Sequence, residues 1–264
     1  MKEYYFISGL PRSGSTLLSG ILRQNPDFYA DIASPLQGLV KGIINNITSS
    51  ESNSIIQEDR RKTILYGLIN AFYDHVNKPV IFDSSRGWTS VTPLLKELFP
   101  NTKIICCVRE IFWILDSFER IAAKNCLYTN TLVDDEARPS VESRCMSMMD
   151  VQKDGMIIKP WYWLQEGLSL NRDMIHLVEY KSLCKNPEET LRDIYNFLGK
   201  EYFEHDFDNV EYQNETFDRY VNMKDLHTVK RKVEWVERKT ILPDYVVEQF
   251  IKKDFWKKKN INYE

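Results

Sequence analysis

The chain has 264 residues, a formal net charge of −3, five cysteines and four histidines. This length suits one α/β domain with a well-buried core, and the small net charge gives no electrostatic reason to expect a nucleic-acid partner. No apolar run reaches membrane-spanning length, a strand begins too early to leave room for a signal peptide, and the unpaired cysteines are typical of a reducing compartment. We therefore expect a cytoplasmic protein without a membrane span, and the scattered histidines predict no metal site.

The first predicted elements are a strand, a glycine-containing loop and a helix within residues 4–25. Tyr4 to Ile7 are β-formers, the loop contains Gly9 and Gly14, and the apolar residues from Thr16 to Leu22 recur at helical spacing. Main-chain N–H groups of such a loop converge with the positive end of the helix dipole. We expect this stretch to bind an anionic group.

The loop has the spacing of the P-loop motif G-x-x-x-x-G-K-[ST] but lacks its lysine. Gly9 and Gly14 are followed by Ser15 and Thr16, so a serine occupies the position of the lysine that reaches the phosphates of a nucleoside triphosphate. The cation lies within the loop instead, as Arg12, whose guanidinium can pair with two phosphate or sulfate oxygens at once. A surface arginine on an ordinary strand-turn-helix is the alternative.

Strands and helices alternate along most of the remaining chain. We predict strands at 28–32, 79–82, 103–108 and 174–180, helices at 35–47, 55–73, 91–99, 111–124 and 187–198, and a polar break at 49–53. This alternation is typical of a single α/β domain, here 1–264, with a central parallel β-sheet flanked by helices and a P-loop-like nucleotide-binding topology. The stretch 125–170 fits an insertion that forms a lid or contacts a substrate.

Four predicted strands end at residues that could form one site. The loop around Arg12, the pair Asp83 and Arg86, then Arg109, and finally Tyr180 each follow such an end. Ligands of parallel sheets bind beyond the carboxyl ends of the strands. We therefore expect these side chains to surround a common ligand.

Three segments together resemble the sulfotransferases that use 3′-phosphoadenosine 5′-phosphosulfate (PAPS): PRSGSTLL, CVREIFWILDSFER and EYKSLCKNPEETLRDIYNFLG. The resemblance extends from the N-terminus to about Gly199, and residues 125–170 match nothing specific. It implies transfer of a sulfuryl group from PAPS to a hydroxyl, N-hydroxyl or amine of an acceptor, with 3′,5′-diphosphoadenosine (PAP) as the product and no metal. A P-loop kinase using Mg-ATP and a noncatalytic phosphoadenosine-binding protein are the alternatives.

The resemblance also implies the residues that bind the cofactor. The loop would hold the 5′-phosphosulfate through Arg12, Ser13, Gly14, Ser15 and Thr16. Arg109 and Ser117, eight residues apart, would hold the 3′-phosphate, and Tyr180 would contact the adenosine. The segment 200–264 would close over the cofactor, with candidates in a basic turn: His227, Thr228, Lys230, Arg231 and Lys232. A solvated helix face is an equally good interpretation of this turn.

Catalysis would require positive charge near the transferred group and a general base, and the sequence offers candidates for both. Positive charge would come from Arg12 and from Arg86, the cation nearest to the place where related enzymes carry a lysine. A carboxylate general base would be Asp83 or Asp31, with Asp83 favoured because its strand end is better defined, although an aspartate there also suits a turn cap.

The acceptor is expected to be a cytoplasmic small molecule, such as a polar or cationic natural product. Its pocket would be formed by residues 31–37, Trp88, 125–145 and 161–163. The acidic residues 134–136 would suit a cationic or polyhydroxylated compound. The oligomeric state is left open by the sequence.

Overall fold

The computed structural model describes residues 2–124, 140–211 and 230–257. Five parallel strands form one sheet in the order β2-β3-β1-β4-β5. Their bounds are β1 Glu3–Gly9, β2 Phe28–Ala30, β3 Val80–Ser84, β4 Ile104–Val108 and β5 Ile175–Glu179. The chain turns to opposite sides of β1 to reach β3 and β4, so the loop after β1 lies at the topological switch point.

Eleven α-helices surround this sheet within the described ranges. Their bounds are α1 Ser15–Leu22, α2 Leu36–Ile47, α3 Ser50–Ile55, α4 Glu58–Phe72, α5 Thr92–Leu98, α6 Ile111–Lys124, α7 Val141–Met148, α8 Ile158–Leu170, α9 Tyr180–Lys185, α10 Pro187–Leu198 and α11 Asp244–Phe250. Short 3₁₀ helices span Arg86–Val91, Arg172–Met174 and Phe255–Lys257. Of the helices described, none is long and apolar enough to cross a membrane.

The core lies on both faces of the sheet. In β1, Tyr4 and Phe6 pack into one apolar cluster, whereas Tyr5 and Ile7 pack into another on the opposite face. Every residue of β4 is completely buried, as expected of a central parallel strand. The predicted single α/β domain, with a parallel sheet flanked by helices, is confirmed.

Local sequence signals account for both ends of α10. Proline stands in the first turn of α10, followed by Glu188 and Glu189, and Gly199 ends this helix with a φ of 66°. A proline fixes a helical φ at the first position, acidic side chains favour the positive end of the dipole, and glycine adopts the left-handed conformation without strain.

Three local predictions were wrong. Residues 50–53 of the predicted polar break belong to α3, and the predicted helix over 55–73 begins only at Glu58, because Ile56 and Gln57 are extended. Strand β3 runs to Ser84, two residues further than predicted, because it continues to pair with β1. This extension places Asp83 inside the sheet.

Candidate active site

The loop between β1 and α1 forms a tight concave turn. Arg12 and Gly14 both adopt left-handed main-chain conformations, with φ values of 55° and 97°. In such turns successive N–H groups point to the concave side. No side chain caps the first N–H groups of α1, which begins directly after Gly14. The loop and the helix N-terminus therefore offer several N–H donors to an anion.

Ser13 supports this loop rather than lining a cavity with its side chain. Its hydroxyl is completely buried and contacts the carbonyl oxygens of Leu10 and Cys107, the latter at 2.8 Å. The Ser13 hydroxyl is therefore engaged within the protein, and a contribution of Ser13 to the predicted phosphosulfate site would come from its main-chain N–H. Ser15 and Thr16, by contrast, line the cavity beside the loop.

Contacts between side chains connect the loop to two other strand ends. Arg12 donates from Nε to the hydroxyl of Ser117 on α6 at 3.1 Å, and Arg109 donates to the carbonyl oxygen of Arg12 at 3.2 Å. The Arg109 guanidinium lies 4.5 Å from the ring centre of Tyr180. A Cβ atom at Gly14 would come within 2.7 Å of the same ring, so only glycine allows this approach. The predicted convergence of these residues is observed.

Arg109 carries an unsatisfied buried donor. Its Nε atom has no hydrogen-bond partner among the residues that the structure describes, and burial lowers the pKa of its guanidinium from the ordinary value. An unsatisfied buried donor is costly, and a bound anion that accepts its hydrogen bond removes that cost. Arg109 is therefore suited to bind a phosphate.

A cavity of about 1110 Å³ begins at this loop and continues to α8. We call its two parts the loop half and the α8 half. The loop half is lined by Arg12, Gly14, Ser15, Thr16, Arg109 and Tyr180, and the α8 half by Ser34, Gln37, Arg86, Gly87, Lys153, Asp154, Lys159 and Trp163. This volume exceeds that of most small-ligand sites and leaves room for two ligands.

Arg86 brings an unpaired cation to the α8 half. Within the described ranges, no hydrogen bond or ion pair engages its guanidinium, which solvent reaches through the cavity. Protein atoms around the group nevertheless desolvate it and lower its pKa from the ordinary value. Its carbonyl oxygen accepts a hydrogen bond from Ser8 at 3.0 Å, which joins Arg86 to the end of β1.

Asp83 does not reach the cavity, contrary to the prediction that it acts as the general base. Its side chain is 1% exposed and accepts hydrogen bonds from Trp88 Nε1 at 2.5 Å and from the Tyr73 hydroxyl. Burial raises the pKa of its carboxyl group, and Ser34 also hydrogen-bonds to it. Asp83 therefore connects α4, the 3₁₀ helix that begins at Arg86 and the loop after β2.

Asp31 is also outside the cavity lining. Its carboxylate accepts hydrogen bonds from the Tyr29 hydroxyl at 3.2 Å and from the main-chain N–H of Ile32 at 2.8 Å. Neither carboxylate predicted from the sequence is thus placed to take a proton from an acceptor in this cavity.

Of the remaining residues predicted to contact the cofactor or the acceptor, some line the cavity and others do not. Lys230 and Lys232 line the cavity, whereas Arg231 lies 3.6 Å from Glu211 in an exposed ion pair. His227 and Thr228, and residues 125–139 of the predicted insertion, lie outside the described residues. Of the residues expected around an acceptor, Gln37 and Trp163 line the cavity, but Trp88 is completely buried in the core.

Two carboxylates that line the cavity were missed by the sequence analysis: Asp154 and Glu234. Asp154 has a φ of 55° and pairs with Lys159 of α8 at 2.8 Å. The Asp-Gly pair at 154–155 signals a turn in the sequence, but nothing there indicates which surface the turn faces. In the part of the chain that the structure describes, no cluster of three or more histidine, cysteine, aspartate or glutamate side chains could hold a metal ion.

Comparisons with known proteins identify the family. Residues 5–204 match the model of a family described as the sulfotransferase family, and the chain belongs to that family. This membership supports sulfuryl transfer as its activity. A sequence search of curated proteins gave no match.

Solved structures agree with this family. A sulfotransferase domain from the curacin biosynthetic pathway is similar, with a TM-score of 0.51 and 17% identity over 77% of this chain and 76% of that one. A sulfotransferase from Alicyclobacillus acidocaldarius has a TM-score of 0.51 and 16% identity over 84% of this chain and 92% of its own. At these low sequence identities, the similarity to the two solved structures shows only a shared fold.

The structural role of Asp83 predicts distinct effects of two substitutions. Asp83→Ala leaves Trp88 and Tyr73 without their acceptor and should lower the free energy of unfolding by about 2–4 kcal/mol. Asp83→Asn can keep both contacts, with Oδ1 accepting from Trp88 Nε1 and Nδ2 donating to the Tyr73 hydroxyl. The pKa of the Asp83 carboxyl group is higher in the folded state than in the unfolded state, so its protonated form stabilises the folded wild type at pH values below the unfolded-state pKa. This stabilisation is lost as the pH rises through the folded-state pKa. The stability of Asp83→Asn relative to wild type should therefore increase with pH, as measured by urea denaturation at pH 4.5 and 8.

Because Asp83 lies away from the cavity, Asp83→Asn should also retain sulfuryl transfer. Loss of turnover in a folded Asp83→Asn variant would restore Asp83 as the general base. A stability difference that does not vary with pH would contradict the raised pKa of the buried Asp83 carboxyl group.

Proposed function

We propose that the protein is a PAPS-dependent sulfotransferase that transfers the sulfuryl group to a hydroxyl or amine of a small-molecule acceptor. The observation that carries this proposal is the chain of contacts from Ser117 through Arg12 and Arg109 to Tyr180, around one cavity. It unites in space the three segments whose sequences resemble the PAPS-dependent enzymes. PAP is then the second product.

The residues present fit the donor. The concave loop at 12–16 offers N–H groups to a phosphosulfate, and the unsatisfied Nε of Arg109 offers a donor to the 3′-phosphate. Tyr180 presents an aromatic ring to the adenosine part, and its approach to Gly14 brings that ring against the loop. The hydrogen bond between Arg12 and Ser117 couples the two anion sites.

The cations of the cavity can stabilise the charge that develops during transfer. PAPS supplies the activated sulfuryl group, and the leaving group is the 5′-phosphate of PAP. Arg12 and the loop N–H groups bind the transferred group and the leaving oxygen, positions where fixed donors lower the barrier most. Arg86, unpaired in the α8 half, takes the role of the lysine found in related enzymes.

For the acceptor's proton, we propose Asp154 in place of Asp83. Of the two described carboxylates that line the cavity, Asp154 precedes α8, whereas Glu234 lies on the C-terminal segment beside Lys232. The left-handed conformation of Asp154 and its ion pair with Lys159 hold the carboxylate at the α8 half. A base in this half can reach an acceptor without contacting the nucleotide site.

The charges of the α8 half favour a neutral or anionic acceptor over a cationic one. Among the described lining residues of this half, Arg86, Lys153 and Lys159 are cationic and only Asp154 is acidic. Trp163 adds an aromatic surface, and Lys41 lies 5.3 Å from its ring centre. A polar hydroxyl compound with an aromatic or acidic part fits these features. A cytoplasmic location remains a prediction.

Arg109→Ala should weaken PAP binding far more than 5′-AMP binding, because only PAP carries a 3′-phosphate. We expect a loss for PAP of about 100-fold, or about 2.7 kcal/mol, and less than about threefold for 5′-AMP, measured by calorimetric titration. Arg192→Ala is the matched control, since this exposed arginine of α10 contacts Glu188 and the Tyr202 ring and does not line the cavity. Equal losses for both nucleotides would refute the assignment of Arg109.

Turnover measurements should distinguish the role proposed for Arg86 from the role proposed for Asp154. With ³⁵S-labelled PAPS and a panel of phenols, alcohols and amines, Arg86→Met should lower kcat by about 100-fold, and Arg86→Lys should restore part of it. Asp154→Asn should lower kcat by at least about tenfold while the KM for PAPS stays unchanged. An Asp154→Asn variant with wild-type kcat on the accepted compound would exclude it as the base. Tight PAP binding without label transfer to any compound would favour the noncatalytic alternative.

A further inference from the structure

A segment near the C-terminus lies beside the loop half of the cavity. We call the described residues 230–241 the strap, and Lys230, Lys232 and Glu234 of the strap line the cavity. Its first part is fixed by main-chain hydrogen bonds with the segment after α10. Val210 donates to Arg231 at 2.7 Å, and Val233 donates to Phe207 at 2.8 Å.

The other end of the strap is held by one buried carboxylate, Asp116 of α6. The Asp116 side chain is completely buried and accepts hydrogen bonds from three strap residues: Arg238 at 2.6 Å, Thr240 at 3.2 Å and the main-chain N–H of Ile241 at 2.8 Å. Arg120, one turn along α6, donates to Asp116 at 2.9 Å and to the carbonyl oxygen of Lys239 at 2.7 Å. Charge-assisted hydrogen bonds of this kind are strong and directional.

Asp116 is ionised in this setting. Burial by itself raises the pKa of its carboxyl group, but the hydrogen bonds from Arg120 and Ile241 and the charge of Arg238 outweigh burial and hold the pKa below its ordinary value. The carboxylate thus compensates two guanidinium groups. Its removal leaves both without their buried counter-ion.

The same network adjoins the nucleotide site. Asp116 directly precedes Ser117, which binds Arg12. Burial is the main cause of the lowered pKa of Arg109, and the nearby charge of Arg238 adds to it. Trp235, in the middle of the strap, lies 6.1 Å from the Tyr180 ring, centre to centre. Displacement of the strap would therefore disturb the surroundings of Arg109 and Tyr180.

We propose that Asp116 is a positioning residue for nucleotide binding: it fastens the strap beside the loop half of the cavity and thereby tightens the site without contacting the nucleotide. Asp116 does not line the cavity and acts on it mainly through the strap residues Arg238, Thr240 and Ile241. Its negative charge also raises the pKa of Arg109 directly, an effect too small to offset burial. The inference rests on the proposed function, because PAP is the nucleotide expected there.

The test compares PAP binding and hydrogen exchange in three variants of the full chain. Asp116→Asn keeps the side-chain volume but removes the charge, and Arg238→Gln removes one strap contact while Asp116 keeps Arg120, Thr240 and Ile241. Lys239→Gln is the matched control, since it removes one exposed charge from the same strap and leaves the main-chain contact with Arg120 intact. Arg238→Gln also serves if Asp116→Asn fails to fold.

Asp116→Asn and Arg238→Gln should each raise the Kd for PAP by about tenfold, and Lys239→Gln by less than about twofold. The double variant should bind no more weakly than the weaker single variant, because both substitutions break the same connection. In the absence of nucleotide, amides within 232–242 should exchange faster in both variants, whereas those of α10 should exchange at wild-type rates.

Wild-type PAP affinity in an Asp116→Asn variant with a faster-exchanging strap would overturn the inference. Additive losses in the double variant would overturn it as well, because Arg238 would then act on the nucleotide independently of Asp116. A wild-type protein that does not bind PAP would refute the proposed function itself, a result visible before any variant is made.

Discussion

The site depends on the burial of one cation, Arg109, at the junction of three strand ends. Its guanidinium is held between the carbonyl oxygen of Arg12 and the ring of Tyr180, with one N–H unsatisfied. A buried donor without an acceptor is unfavourable, and a bound anion can accept its hydrogen bond. The loop after β1, the start of α6 and the start of α9 all meet around this group, which explains why their sequences carry the features of one ligand site.

Buried polar side chains beneath the cavity fix the position of residues that line it. Asp83, Trp88 and Tyr73 form a buried hydrogen-bonded group that fixes the 3₁₀ helix at whose first residue Arg86 stands. The hydrogen bond from Ser8 to the Arg86 carbonyl adds a second attachment to β1. Asp83 therefore helps to position residues that line the cavity although it does not line the cavity itself.

The parts of the fold that were predicted correctly depend on local patterns. The strand, loop and helix around Gly14, the apolar strand β4 and the proline and glycine ends of α10 are each encoded within a few residues. The meeting of Arg12, Arg109 and Tyr180 followed from the rule that ligands bind beyond the carboxyl ends of parallel strands.

The errors concern contacts between residues distant in sequence. Two more residues of β3 pair with β1, and this pairing turns Asp83 from an expected strand end into a core residue that faces Tyr73. The strap partners of Asp116 lie more than 120 residues further along the chain. Asp154 lines the cavity from the turn between α7 and α8, far in sequence from the loop after β1. Single-sequence patterns carry no information on such pairings.

The cavity should bind a 3′-phosphorylated adenine nucleotide rather than a metal-bound triphosphate. Calorimetric titration of the wild-type protein with PAP and, separately, with ATP, each in Mg²⁺ and in EDTA, distinguishes these two ligands. We expect PAP to bind at least about 100-fold more tightly than ATP and equally well in both buffers. Tighter binding of ATP that requires Mg²⁺ would contradict this expectation and would favour a kinase.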